Sequence, residues 1–154
     1  MITIGDLLPH DHVLLQIRAA KSADAIDEVT ALVKGHPAVL DWDALLERVH
    51  ASAPCLPEPA GGFALCIPHT RGECVSSMVM SVGRSETGIV FPGVGLPVRY
   101  IFSIAAPRAL AADYLRIVGL LARVFKDRQT EGALRAAETG AEFVELLSRR
   151  EAKL

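Results

Sequence analysis

The chain has 154 residues, a length that fits one domain with a sizeable buried core. Its 16 Lys and Arg are balanced by 18 Asp and Glu, and no stretch is densely basic, which disfavours nucleic-acid binding. No apolar run approaches membrane-spanning length, and the first residues lack the features of a signal peptide, so we expect a cytoplasmic protein without membrane insertion. Three cysteines without a CxxC pair predict free thiols and no zinc site.

Cap residues and apolar spacing predict the secondary structure of the first fifty residues. Ser22 is the expected N-cap of one helix, and Asp41 or Asp43 that of the next. His10 and His12 can share one side of an extended segment, but no third ligand is in local register, so loop histidines are the favoured interpretation. The predicted elements are a short helical turn or loop that ends at Pro9, a strand at 13–17, a helix at 23–34 and a helix at 42–50.

The middle of the chain places a histidine directly after a short apolar strand. Residues 51–62 contain three prolines and two glycines and are predicted to form a loop, a lid or spacer, before a strand at 63–67. Pro68 is expected to end the hydrogen-bond ladder because it has no N–H. His69 would then stand at the sheet edge, with Thr70 and Arg71 supplying hydroxyl and guanidinium donors nearby.

The rest of the chain predicts two further strands and a helical last third. Residues 98–106 are apolar on both faces toward the end of the run and are expected to form the central strand. Strands alternating with helices predict an α/β three-layer sandwich, with a mixed, mainly parallel sheet of about five strands flanked by helices. The remaining predicted elements are a strand at 75–82, a turn at 83–88, a short extended piece at 89–91, a loop at 92–97 and helices at 108–126, 130–137 and 141–150.

These segments carry a family resemblance. The run from Phe63 to Arg71, FALCIPHTR, resembles the Gly-x-Ala-Ile-Pro-His signature of the enzyme IIA (EIIA) domains of the bacterial phosphotransferase system, in the fructose, mannitol and nitrogen-regulatory class. The opening segment resembles the nitrogen-regulatory members in particular. The segments that match in order and spacing are residues 4–8, 13–15, 45–48, 63–71, 88–91, 97–107 and 114–123. The resemblance implies a single EIIA type-2-like domain over residues 1–154.

The resemblance implies a phosphocarrier or regulatory protein. His69 would accept a phosphoryl group from an HPr-type phosphoprotein and pass it to a IIB domain or use it as a signal to a regulatory target. A neutral imidazole is a competent nucleophile, and phosphoryl transfer asks the protein mainly for positioning and charge stabilisation. Arg48 matches the family arginine that helps to hold the phosphate, with Thr70 and Arg71 beside the histidine. No nucleotide-type glycine loop is present, so we expect a phosphoprotein donor and no cofactor.

The chain departs from the family at two places. The resemblance places a second histidine, in contact with the active ring, where this chain has Ala111. The passage between Arg48 and the glycines is longer and richer in proline than in the family. One hypothesis is that His50 replaces the missing imidazole, although a histidine at a helix end more often interacts with the helix dipole. An alternative function is an EIIA-like regulatory interaction module with weak or no phosphotransfer.

Overall fold

The computed structural model describes residues 1–57 and 62–154. Six strands form one mixed sheet in which β1, β5, β6, β3 and β2 are successive neighbours and β4 also pairs with β6. The strands are β1 (Val13–Leu14), β2 (Cys55–Pro57), β3 (Ala64–Cys66), β4 (His69–Arg71), β5 (Val79–Ile89) and β6 (Val98–Ala106). The helices are α1 (Ile4–Leu7), α2 (Ser22–Thr30), α3 (Trp42–Ala51), α4 (Ala111–Val124), α5 (Arg128–Ala136) and α6 (Gly140–Glu151), with short 3-10 segments at His10–His12, Ala31–Val33 and Arg108–Leu110.

Strand β6 is the centre of the sheet, as its apolar sequence predicted. All nine of its residues are buried. It pairs in parallel with β3 and β4 on one side and antiparallel with β5 on the other. The remaining pairs are β1 with β5, parallel, and β2 with β3, antiparallel. Because β3 and β4 follow one another along the same side of β6, the six strands occupy five positions, which agrees with the predicted mixed sheet of about five strands.

Two hydrophobic cores cover the two faces of the sheet. On one face, apolar side chains of α1, α4, α5 and α6 pack against the strands, and on the other face those of α2 and α3 do so. The helix spacing of the apolar residues produces this division, since each helix buries one stripe. The predicted three-layer α/β sandwich is therefore confirmed. None of the helices in the described part of the chain is both long and apolar enough to cross a bilayer.

Pro68 interrupts the sheet without ending it, contrary to the sequence prediction. The missing N–H removes one ladder bond, but the Pro68 carbonyl still accepts from Ile104 N at 2.9 Å. The ladder then resumes, with His69 in register with Ile104 and Arg71 with Ala106. His69 therefore begins a second short strand and is held by the sheet on its backbone side, instead of standing beyond the strand end.

The predicted loop over residues 51–62 was wrong at its centre, where β2 forms an edge strand. Prolines hid this strand from sequence analysis, because an edge strand needs only one side of its backbone for pairing and so tolerates proline. Pro54 and Pro57 lie beside or within β2, and the Pro54 carbonyl accepts from Ile67 N at 2.9 Å. The rest of the predicted loop, residues 58–61, lies outside the described residues.

The predicted turn over residues 83–88 was also wrong, because β5 runs through it to Ile89. Gly83 is a packing glycine: a Cβ there would overlap with Val29 of α2 and with Ile17. Gly88 has the left-handed φ of 81° that a turn signal implies, but it lies in an irregularity where the register with β6 shifts between Arg84 and Ile89.

Smaller differences concern element starts and ends. The strand predicted at 13–17 is a strand only over Val13–Leu14, and Ile17 N still donates to Arg84 O of β5 at 2.8 Å. The strand predicted at 75–82 begins at Val79, and Ser22 is the first residue of α2, whose N-cap is Lys21. Asp41 caps α3 as predicted, and its carboxylate accepts from Ala44 N at 3.1 Å.

Candidate functional site

His69 is fixed by neighbours on both sides of its short strand. Its backbone N–H donates to Ser52 O at 2.9 Å, which continues the antiparallel pairing of the edge segment past β2. On the other side β4 pairs in parallel with β6, where His69 is opposite Ile104. The side chain is half-buried. The backbone of His69 is therefore anchored while its ring keeps contact with solvent.

The hydrogen bonds of the His69 ring assign its tautomer. Nδ1 lies 3.0 Å from the carbonyl oxygen of Ile67. Because a carbonyl oxygen only accepts, Nδ1 carries the proton and donates it. The other nitrogen, Nε2, then has a free lone pair, and the Ser52 hydroxyl lies 3.4 Å from it. Nε2 is thus the nucleophilic atom of the ring, with a weak hydroxyl donor beside it.

Tyr114 of α4 forms the apolar wall behind the ring. The ring centroids of His69 and Tyr114 are 5.2 Å apart with a tilt of 34°. The Arg71 guanidinium lies over the same tyrosine, with Cζ 5.4 Å from its centroid. His69 and Arg71 are two residues apart on β4, so strand alternation puts both side chains on the α4 face of the sheet. Burial raises the pKa of the Tyr114 hydroxyl, and Arg71 opposes that shift, so the phenol stays a neutral donor.

Arg48 approaches the far end of β4. Its guanidinium lies against Gly72, the residue that follows β4, and a Cβ at Gly72 would overlap with Nη1 of Arg48. The thiol of Cys74 has its pKa raised by burial, with Arg48 opposing the shift by its charge. The structure therefore brings Arg48 to the C-terminal end of the strand that His69 begins.

Two other residues singled out in the sequence have different surroundings. Thr70 is buried, and alternation along β4 directs its side chain to the opposite face from His69. His50 is bound elsewhere: its Nε2 lies 2.6 Å from Asp27 Oδ1 of α2. The hypothesis that His50 replaces a second imidazole gains no support from this arrangement.

Sequence analysis missed three residues of the site, namely Ser52, Tyr114 and Arg108. Tyr114 is 5% exposed and was interpreted as core; it is core and also the ring against His69. Arg108 and Arg71 line a groove of about 250 Å³ together with Ala111. The residue that meets His69 lies one helical turn beyond Ala111, and only the packing of α4 on β4 reveals it. The groove is consequently flanked by two guanidinium groups, one of them that of Arg71, two residues along β4 from His69.

This arrangement suits an anionic electrophile. A free imidazole lone pair, hydroxyl donors and arginines provide a nucleophile and charge stabilisation for a phosphoryl group. Within residues 1–57 and 62–154, no cluster of three or more His, Cys, Asp or Glu side chains is arranged to hold a metal ion.

Comparisons with known proteins find similar sequences over most of the chain. The family described as "Phosphoenolpyruvate-dependent sugar phosphotransferase system, EIIA 2" matches residues 6–150. A PTS system fructose-specific EIIA component from Haloferax volcanii is 32% identical over 98 residues, which cover 63% of this chain and 60% of that protein. A nitrogen regulatory protein from Bradyrhizobium diazoefficiens is 24% identical over 149 residues, which cover 94% of each chain.

A solved structure shares the fold. The crystal structure of the nitrogen regulatory protein IIA-Ntr from Neisseria meningitidis superposes with a TM-score of 0.80 at 23% sequence identity. The superposition covers 94% of this chain and 98% of that one. At this identity the likeness concerns the fold alone.

Proposed function

The chain belongs to the phosphotransferase-system EIIA type-2 family, and from this premise we propose that it accepts a phosphoryl group on His69 Nε2 from an HPr-type phosphoprotein. The observation that carries the proposal is the Nδ1–H bond to the Ile67 carbonyl at 3.0 Å, because it leaves Nε2 with its lone pair. The kinship with a nitrogen regulatory protein over 94% of the chain favours a regulatory role in the cytoplasm. The onward partner would be a regulatory target or a IIB domain, and the unit would be one EIIA domain over residues 1–154.

The transfer needs no cofactor in this scheme. The Nε2 lone pair forms a bond to phosphorus while the P–N bond of the donor phosphohistidine breaks, and its electron pair returns to the donor imidazole. Positive charge develops on the His69 ring, and the Ile67 carbonyl dipole stabilises it through the Nδ1–H bond. Ser52 lies at 3.4 Å from Nε2, where its hydroxyl can donate to a phosphoryl oxygen.

The cationic side chains have separate parts in this proposal. Arg71, two residues from His69 on β4, and Arg108, across the groove from Arg71, would neutralise the charge of the phosphoryl oxygens. Arg48 meets Gly72 on the Thr70 side of β4, so in this proposal it would reach the phosphoryl group around the C-terminal end of the strand. Thr70 was predicted as a phosphate ligand, and its side chain on the opposite face leaves only its backbone near the site.

Labelling of the unmodified protein tests the proposal. The protein is incubated with phosphoenolpyruvate, enzyme I and an HPr-type protein, and its intact mass is measured before and after acid treatment. We expect one phosphoryl group that is lost in acid, because a phosphoramidate hydrolyses there whereas phosphoserine and phosphothreonine persist. The absence of a label with any HPr-type donor would favour the interaction-module alternative. An acid-stable label would indicate that a hydroxyl, such as that of Ser52, accepts the phosphoryl group instead of His69.

A glycine substitution tests the part of Arg48. Gly72→Ala introduces a Cβ where Nη1 of Arg48 lies, and the long side chain can move away without disturbing the backbone. Because misplacement by about an ångström can slow transfer by up to about 100-fold, we expect phosphorylation to slow by about tenfold or more in both Gly72→Ala and Arg48→Ala. Gly95→Ala is the matched control, since nothing lies within 4 Å of its added Cβ. A wild-type rate in Arg48→Ala would remove Arg48 from the site.

A further inference from the structure

Two of the three cysteines face each other across the edge of the sheet. Cys55 of β2 and Cys66 of β3 are direct partners in the antiparallel register. Neither cysteine takes part in the chemistry assigned to His69. The third cysteine, Cys74, lies outside these strands and is buried.

The hydrogen bonds around the pair show which kind of antiparallel pair it is. Ile67 N donates to Pro54 O, and His69 N donates to Ser52 O. Hydrogen-bonded and non-hydrogen-bonded pairs alternate along an antiparallel ladder, so Cys55 and Cys66, next to the first of these bonded pairs, form a non-hydrogen-bonded pair. In such pairs the Cα atoms are about 4.5 Å apart and the side chains are closest, within the separation that a disulfide spans.

The two sulfur atoms lie on the same side of the ladder. Cys66 Sγ is 3.4 Å from Ala53 O and Cys55 Sγ is 3.8 Å from the same oxygen. The pKa of the Cys55 thiol is lowered because the Cys66 thiol hydrogen-bonds to it, and the same bond, with burial, raises the pKa of Cys66. Cys55 is thus the better nucleophile of the pair and Cys66 the proton donor.

The two thiols also differ in solvent access, and this difference again favours Cys55 as the attacking thiol. Cys66 is fully buried, whereas Cys55 is half-buried and lines an open cleft of about 620 Å³ between the edge segment and residues Gly93 to Leu96. A disulfide-containing reactant can therefore reach Cys55 first, and Cys66 is positioned to react only with what Cys55 carries.

We propose that Cys55 and Cys66 form a reversible intramolecular disulfide by exchange with a low-molecular-weight disulfide, Cys55 attacking and Cys66 resolving. The Cys55 thiolate attacks one sulfur of the reactant, which releases one thiol and leaves a mixed disulfide on Cys55. Cys66 then loses its proton, attacks the Cys55 sulfur and releases the second thiol. Two protein thiols are oxidised, one small disulfide is reduced to two thiols, and no other reactant is needed. The step does not depend on phosphoryl transfer.

A Cys55–Cys66 crosslink would lie in the edge segment that also contacts His69. The same edge segment that carries Cys55 supplies the Ser52 carbonyl that binds His69 N and the hydroxyl near Nε2. A covalent link between β2 and β3 would hold this segment in register, which reduces its local opening. Oxidation would therefore rigidify the segment that contacts the proposed phosphoryl acceptor.

Equilibration with oxidised and reduced glutathione, acid quenching and peptide mapping test the proposal on the folded protein. We expect the free thiols to fall from three to one in the wild type and from two to none in the matched control Cys74→Ser, with a Cys55–Cys66 crosslinked peptide in both. Cys66→Ala should accumulate a glutathione adduct on Cys55, whereas Cys55→Ala should form neither adduct nor crosslink. The peptide map of the wild type is informative even if one of the cysteine variants does not fold.

Two results would overturn the inference. One is a wild type that keeps three free thiols, or only a persistent glutathione adduct, in a strongly oxidising glutathione mixture. The other is a crosslink that includes Cys74. For the link to His69, amide hydrogen exchange should be slower at His69 N–H in the oxidised form, by on the order of tenfold. An equal exchange rate in the oxidised and reduced forms would show that the disulfide does not affect the segment that contacts His69.

Discussion

Replacing His69 with alanine is expected to reduce phosphoryl acceptance from an HPr-type donor to the background of the assay without the protein. The expectation rests on the orientation of Nε2, which is the free nitrogen of a ring held by Ile67 O, and on the absence of a second imidazole within the described contacts of that ring. The loss is measured as the initial rate of acid-labile phosphorylation with phosphoenolpyruvate, enzyme I and the donor. The ring is only half-buried, so the variant should still fold, which circular dichroism and thermal unfolding check.

His50→Ala is the matched control for this experiment. Its imidazole is at the end of α3 and its Nε2 is engaged by Asp27, so we expect the phosphorylation rate to remain that of the wild type. A rate reduced by tenfold or more in His50→Ala would restore the hypothesis that it serves as the second imidazole. Retained acid-labile label in His69→Ala would place the phosphoryl acceptor on another histidine and contradict the proposal.

The position of His69 was accessible to sequence analysis because its determinants are local. An apolar run, a proline and the following imidazole are contiguous, and the resemblance assigns a role to that one position. Tyr114 was not accessible in the same way. Its place in the apolar stripe of α4 indicates only that it is a core residue. The stripe does not show that the Tyr114 ring contacts His69, which lies on a strand more than forty residues earlier in the sequence.

The sequence predicted elements with a regular apolar pattern and missed one whose formation depends on a neighbouring strand. The helices and β6 were predicted because their apolar spacing is regular and each buries a defined face. β2 was missed because it is an edge strand that contains proline and depends on β3 for its pairing. The Cys55–Cys66 register follows only from that pairing, so two cysteines eleven positions apart could be recognised as neighbours only in the structure.

A buried ionic cluster stabilises the end of β6 that is farthest from the proposed site. Glu131 of α5 is 2% exposed, and its carboxylate accepts from Arg99 Nη1 at 2.9 Å, from the Tyr100 hydroxyl at 2.9 Å and from Arg135 Nη2 at 2.8 Å. The Arg99 guanidinium also lies 3.6 Å from the ring centroid of Phe63. Arg99 and Tyr100 are near the start of β6, whereas His69 pairs with Ile104. The cluster anchors α5 to β6 and makes no contact with His69.

Glu131→Ala is expected to lower the free energy of unfolding by about 3 kcal/mol, because it removes a buried carboxylate that accepts from the Tyr100 hydroxyl and from the Arg99 and Arg135 guanidinium groups. For a chain of this length that corresponds to a decrease in Tm of roughly 10 °C. Urea and thermal unfolding measure both quantities.

The matched control is Glu145→Ala on α6. Its partner Arg149 is 3.0 Å away in an exposed pair, so the change should stay within about 0.5 kcal/mol. Glu131→Gln retains the shape and some of the hydrogen bonds, and we expect an intermediate loss. Below the unfolding transition its phosphorylation rate should equal that of the wild type, since the cluster is at the other end of β6 from His69. A loss below about 1 kcal/mol in Glu131→Ala would mean that its buried donors find other acceptors.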